Sequence, residues 1–202
     1  MKIGIYGGSF NPIHRGHTAL ASSLVRQGWV DELWFMVSPQ NPLKFDKNTC
    51  ADEAKGVPTY DDRVAMSRLA TKDLQNVKVS DFESTLPVPS YTITTLTALR
   101  SRYPQHQFCL VIGEDNWRRF DQWYKSDEIK RNHPVLVLRR ETNETDSTPR
   151  CEAPTGTCQF VTTKLYDISS TEIRNRLREG KSIKGLVHSR VEHYISKHKL
   201  YQ

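Results

Sequence analysis

His14 and His17 stand three residues apart just after the Gly7-Gly8 pair, in the stretch GIYGGSFNPIHRGH over residues 4–17. Glycines at the end of an apolar run let backbone N–H groups approach a ligand where a Cβ would intervene. Gly16 lets the following helix pack close to the turn, and the N-terminus of a helix favours anions. These are the ingredients of a phosphate cradle, although neither common phosphate fingerprint is present. The turn contains no G-x-G-x-x-G, and Gly180-Lys181-Ser182 lacks the upstream glycine of G-x-x-x-x-G-K-[ST] because position 175 is Asn. Imidazoles beside such a cradle can donate hydrogen bonds to phosphate oxygens. As zinc ligands they lack a third group at a sensible spacing. As structural histidines they need only satisfied local partners.

The elements that must hold this turn follow from periodicity. KIGIYG (2–7) predicts a strand, and a helix from about Gly16 to Gln27 places Leu20 and Leu24 on one face. LWFMVS (33–38) is a continuous apolar run of the kind buried in a parallel sheet. Residues 60–74 predict a helix with Val64, Ala65 and Leu69 inward, and NVKVSDF (76–82) a third strand. Ser90 is the expected N-cap of a helix through Arg102 with Ile93, Leu96 and Leu99 inward. FCLVIG (108–113) and PVLVLRR (134–140) predict strands around a short helix near 122–130. QFVTT (159–163) predicts a last strand, and helices are expected near 171–179 and 189–198. Repeated β-α-β units imply an α/β fold with a doubly wound parallel sheet, in which ligands bind beyond the carboxyl ends of the strands. The glycine-histidine turn falls at one such end.

The remaining composition sets the frame. A chain of 202 residues fits one domain, with 167–202 as its C-terminal helical part. No apolar run approaches the ~18–20 residues that span a bilayer, and Met1-Lys2 leads directly into a strand without a signal peptide, so a cytoplasmic protein is expected. The net charge of +6 favours an anionic partner: nucleic acid, a membrane surface or phosphorylated small molecules. Cys109, inside FCLVIG, reads as a buried apolar residue. Cys151 and Cys158 flank a polar loop and are taken as free thiols. Residues 141–158, rich in Thr, Pro and Glu, predict a surface loop. Residues 174–199 hold eight Lys or Arg against two Glu, but Tyr194 is the one aromatic among them. RNA-binding modules interleave stacking aromatics with their basic residues, so nucleic acid is not the expected partner.

The opening stretch also resembles a known signature. GGSFNPIHRGH is similar to the [T/S]-F-[D/N]-P-x-H-x-G-H motif of the nucleotidyltransferase superfamily and, within it, to the bacterial nicotinate mononucleotide adenylyltransferases. SPQNPLK (38–44), YDDR (60–63), PSYTITTL (89–96), IGEDNWRRFDQWY (112–124), DISSTEIRNRL (167–177) and LVHSRVEHYISKHKLY (186–201) resemble further segments of that family, in its order. Asn11 stands where many relatives have Asp, Leu43 replaces a common His, His188 replaces a usual Pro, and the loop 141–158 has no counterpart. Phosphopantetheine adenylyltransferases have Thr where His14 stands. Cytidylyltransferases usually show R-T-x-G-I-S-T-[ST], whereas KLYD precedes ISST here.

The resemblance implies a Rossmann-like nucleotidyltransferase fold and a reaction of ATP with nicotinate mononucleotide, with Mg²⁺ on the triphosphate. It implies backbone amides of Gly8, Ser9 and Phe10 on phosphates, and His14 and His17 at the α- and β-phosphates. Lys44 and Arg174 are implied as mobile cations, and Ser169 and Ser170 as donors at a helix start. It further implies Trp123 stacked on the pyridine ring, with Thr92, Tyr91 and the backbone near Tyr124 at the nicotinate carboxylate. Asp115 is implied on ribose hydroxyls, and Gly113 as room for adenosine. Trp29 and Trp117 are expected to be structural. No membrane or nucleic-acid partner is implied, and a homo-oligomer is compatible with the pattern.

Overall fold

A computed structural model describes residues 1–40, 56–140, 158–163 and 167–202. Lys44, Leu43, Cys50, Cys151 and the loop over 141–157 lie outside the described residues. The chain runs β1 (Lys2–Gly8), α1 (Arg15–Arg26), β2 (Glu32–Val37), α2 (Tyr60–Thr71) and β3 (Val77–Ser80), then α3 (Thr92–Arg102) and β4 (Gln107–Gly113). It continues through α4 (Glu114–Trp117), α5 (Ser126–Asn132), β5 (Val135–Arg140), β6 (Cys158–Thr163), α6 (Ser170–Arg178) and α7 (Ser189–Lys197).

The strands form one six-stranded sheet in the order β3-β2-β1-β4-β5-β6, and every pairing is parallel. This is the doubly wound arrangement the β-α-β pattern predicts. Its order reverses between β1 and β4, where a crevice opens beyond the strand ends. Alternation along the strands feeds two cores. Leu33, Phe35, Val37, Cys109, Val111, Leu136 and Leu138 face one side, where α1, α2, α6 and α7 add Leu20, Leu24, Val64, Met66, Ile173, Val191 and Ile195. Ile3, Ile5, Met36, Leu110, Ile112, Val135 and Val137 face the other, covered by Ile93, Leu96 and Leu99 of α3 and Ile129 of α5. Cys109 is fully buried, and burial pushes its thiol up to about 11, so it behaves as the small apolar residue expected.

Two local expectations are corrected. In α2 the buried residues are Arg63, Val64, Met66, Ser67, Ala70 and Thr71, while Ala65 and Leu69 are half-buried. A second layer, α7, packs over this helix; Leu69 lines the cleft between them, so the burial is spread over more than one stripe. In α3 the N-cap is Tyr91, not Ser90, and no side chain caps the helix. The Ser90 hydroxyl is instead buried near Glu83 and caps nothing. His188, where a proline was usual, is the N-cap of α7 and accepts from the Arg190 N–H at 3.2 Å through Nδ1.

Candidate active site

The crevice begins at Gly8, the last residue of β1. A Cβ there would crowd the Phe10 ring at 3.0 Å, so the close approach favours glycine. Phe10 has φ of 44°, a left-handed conformation that is unfavourable for a side chain of this size. Burial compensates it. The ring packs edge-on to Tyr6, Phe35 and His17 at centroid distances of 5.9, 5.1 and 5.2 Å. With the ring anchored inward, the backbone of Ser9–Asn11 forms the rim between β1 and α1.

His14 is the N-cap of α1, and its backbone N–H donates to Nδ1 of His17 at 3.2 Å. When neutral, His17 must therefore carry its proton on Nε2. The two imidazoles stack with centroids 3.7 Å apart. Burial lowers the pKa of His14 to about 4, so this ring is neutral near pH 7, and its buried Nδ1 has no partner among the described residues. The ring sits over the first turn of α1 in a reciprocal capping arrangement with His17.

The His14 shift carries a pH dependence. Its folded pKa of about 4 lies below the ordinary 6.5, so the unfolded chain takes up this proton first as pH falls. The stability due to neutral His14 is whole above about pH 6.5 and lost progressively toward about pH 4. His133, also lowered mainly by burial, acts in the same direction. The urea midpoint of the wild type is expected to fall across this window, and the fall should be smaller in His14→Gln. An identical pH profile for the two proteins would contradict the burial effect.

Three cationic or hydroxyl groups hold the rim from outside. Arg63 of α2 is buried and donates to the backbone carbonyls of Ser9 and Ser38, both at 2.8 Å, and of Pro39 at 3.3 Å. Arg174 of α6 donates to the Asn11 carbonyl at 2.8 Å and to the Thr171 hydroxyl at 3.1 Å. Ser170 donates to the Pro12 carbonyl at 2.9 Å, and Ser169 accepts from the Glu172 N–H as the N-cap of α6. Gly8, Ser9, Phe10, His14, His17, Ser169, Ser170 and Arg174 are thus gathered around one turn. Arg63 was missed as a site residue. Its sequence segment, YDDR, carried a signal, but only the fold shows that the guanidinium ties the ends of β1 and β2 together.

On the α3 side of the switch point lies a cavity of about 390 Å³. Gly7 and Gly8 form its floor, and Tyr91, Thr92, Trp123 and Tyr124 contribute to its walls. Trp123 rests against Phe120 at 5.1 Å, and its buried indole N–H has no partner among the described residues. Tyr124 is 55% exposed and leans on Tyr91 at 4.7 Å. Thr92 opens α3, whose uncapped N–H groups give this wall a positive dipole end. Glu83, Asn116 and Gln122 also line the cavity and had been missed. Glu83 is buried, accepts the Thr95 hydroxyl at 2.8 Å, and is held above the usual carboxylate range by that burial.

Asp115 lies exposed at the end of β4, beside this cavity. A Cβ on Gly113 would come within 2.6 Å of the Asp115 carboxylate, so the space at Gly113 is used first by Asp115. Trp117 stacks on Phe120 at 5.1 Å and Trp29 donates to Gln27, both structural as expected. Among the described residues no group of three or more His, Cys, Asp or Glu is placed to hold a metal ion.

The cytidylyltransferase-like family matches residues 5–176. A Bacteroides thetaiotaomicron protein described as a probable nicotinate-nucleotide adenylyltransferase is 40% identical over 195 residues, which are 96% of this chain and 91% of that protein. A Flavobacterium johnsoniae protein of the same description is 38% identical over all of both chains. The structure of Plasmodium falciparum nicotinic acid mononucleotide adenylyltransferase complexed with NaAD superposes with a TM-score of 0.79, covering 99% of this chain and 97% of that one. At 20% identity this last likeness shows a shared fold.

Proposed function

Because the chain belongs to the cytidylyltransferase-like family, we propose that it transfers the adenylyl group of ATP to nicotinate mononucleotide, releasing pyrophosphate and forming nicotinate adenine dinucleotide for NAD biosynthesis. The observation that carries this reading is the meeting of two subsites at one switch point. A glycine-histidine phosphate rim and an aromatic cavity share Gly8.

In the proposed reaction a phosphate oxygen of nicotinate mononucleotide attacks the α-phosphorus of ATP. The new P–O bond forms as the bond to the bridging oxygen of the β-phosphate breaks. The second pKa of a phosphate monoester is about 6, so the nucleophile is already ionised at neutral pH and needs no general base. What the protein supplies is alignment of two anions and compensation of charge at the α-phosphorus. Amides of Gly8, Ser9 and Phe10 and the Nε2–H of His17 serve the phosphates, assisted by His14, Arg174 and Lys44. Ser170 already donates to Pro12, so the start of α6 contributes through its backbone N–H groups. Among the described residues no protein cluster is placed to hold a metal, so Mg²⁺ would be carried in with ATP, where it would supply further neutralisation of the triphosphate charge. In the cavity, Trp123 stacks on the pyridine ring, while Thr92, Tyr91 and the backbone near Tyr124 meet its carboxylate. Asp115 takes ribose hydroxyls. The described residues contain no helix long and apolar enough to cross a membrane, and a cytoplasmic site of action is part of the proposal.

The test is pyrophosphate release from ATP and Mg²⁺ with nicotinate mononucleotide, nicotinamide mononucleotide or phosphopantetheine as acceptor. Turnover with the first is expected. Turnover only with phosphopantetheine, or with none of the three, overturns the reading.

A further inference from the structure

Tyr201 is buried although it follows the last helix, and its hydroxyl donates to the side-chain carbonyl of Asn11 at 2.5 Å, across 190 positions of sequence. The segment that carries it is held in an unfavourable backbone shape. Lys199 and Tyr201 both have positive φ, 51° and 66°, conformations that cost roughly 1–3 kcal/mol for a residue with a side chain. What holds them is specific. The Tyr201 N–H donates to the Gly56 carbonyl at 2.6 Å, and a Cβ on Gly56 would come within 2.8 Å of the Gln202 carbonyl. Gly56 is favoured as glycine twice over, by its own positive φ of 85° and by this segment lying against it.

The ring packs in the same core as Phe10 and Ile13, which by itself explains an aromatic residue but not a hydroxyl. The hydroxyl reaches the one rim residue whose carbonyl Arg174 also holds. Tyr201 lies within electrostatic range of both Arg174 and Arg63, and Arg63 holds the neighbouring Ser9 carbonyl. Three parts of the chain distant in sequence thus grip the three-residue stretch Ser9–Phe10–Asn11. The left-handed Phe10 lies in the middle, where a loosened neighbour would let the chain relax and turn its amides away.

We propose that Tyr201 is a positioning residue for the phosphate rim, acting through the Asn11 side chain to hold the Ser9–Asn11 amides in their binding orientation. This rests on the adenylyl-transfer reading above. The effect belongs to the ATP side, because none of Ser9, Phe10, Asn11 and Tyr201 lines the nicotinate cavity, which meets the rim at Gly8.

Tyr201→Phe removes the hydroxyl and keeps the packed ring. It is expected to raise KM for ATP about five- to twentyfold, with KM for nicotinate mononucleotide within about twofold of wild type, since a lost hydrogen bond to a half-buried partner is of about that size. Asn11→Ala, which leaves Tyr201 seated, should produce the same split, and the double variant should be no worse than either single one. A purely structural tyrosine would instead lower the melting temperature and leave both KM values unchanged in the folded protein. That result, or effects of the two substitutions that simply add, would falsify the proposal. If wild-type protein shows no turnover at all, the functional reading fails; if wild type turns over and the variants match it, only the positioning role fails.

Discussion

Replacing His17 with alanine is expected to lower kcat by ~10²–10⁴ with little change in fold. The magnitude follows from what one preorganised donor contributes when it acts mainly on charge developing in the transition state. Two features of the structure make His17 such a donor. The His14 backbone N–H occupies Nδ1, which assigns the proton of the neutral ring to Nε2. The ring is then clamped between stacking on His14 and edge contacts with Tyr6 and Phe10. A donor that cannot rotate away loses little on binding and gives its full effect at the reacting phosphorus. The loss should appear in kcat and kcat/KM together. His17→Asn, which can keep a side-chain acceptor for the His14 N–H, separates the roles: helix capping is retained while the Nε2 donor is displaced. Near-wild-type kcat in folded His17→Ala protein would remove His17 from the chemistry.

The second large effect is a preference for the acid over the amide. Nicotinate and nicotinamide mononucleotides differ in a carboxylate against a carboxamide, so discrimination needs donors that converge on that end. The cavity provides the uncapped start of α3 with the Thr92 hydroxyl, and the backbone near Tyr124. A carboxylate accepts from all of them, and the helix dipole favours its charge. A carboxamide turns its own N–H groups on at least one donor and leaves it unpaired, at a cost of about 1–3 kcal/mol, or roughly ten- to a hundredfold in kcat/KM. Glu83 in the same wall acts against an anion, but burial raises its pKa toward the neutral form and the Thr95 hydroxyl compensates one oxygen. The donors should therefore prevail. Comparing kcat/KM for the two mononucleotides at equal Mg²⁺ and ATP decides the matter: equal values, or preference for the amide, remove carboxylate recognition from this cavity. Thr92→Val should narrow the ratio without abolishing it, because the backbone donors remain.

Much of this site was legible in the residues alone, and the reason is that its parts are local. Gly7-Gly8 closing an apolar run, His14 and His17 at the start of a helix, and Thr92 at the start of another are settled by backbone chemistry within a few positions. The continuous apolar runs likewise announce strands buried in a parallel sheet, and the fold lays alternate residues of Leu33–Val37 and Val135–Leu138 into cores on its two faces. The N-cap of α3 falls on Tyr91 rather than Ser90, whose hydroxyl is buried near Glu83 and makes no capping bond, a burial that local propensity does not contain. The helix α2 spreads its burial more widely than one stripe because α7, more than a hundred residues later, packs over it. Arg63 on Ser9, Arg174 on Asn11 and Tyr201 on Asn11 join residues 54, 163 and 190 positions apart. No periodicity or motif spacing encodes such a distance, because each bond exists only after the sheet has brought the ends of β1 and β2, α6 and the segment after α7 to one corner. Local chemistry nominates the groups of the β1–α1 turn as phosphate donors, whereas the stiffness of that turn comes from bonds that exist only in the folded chain.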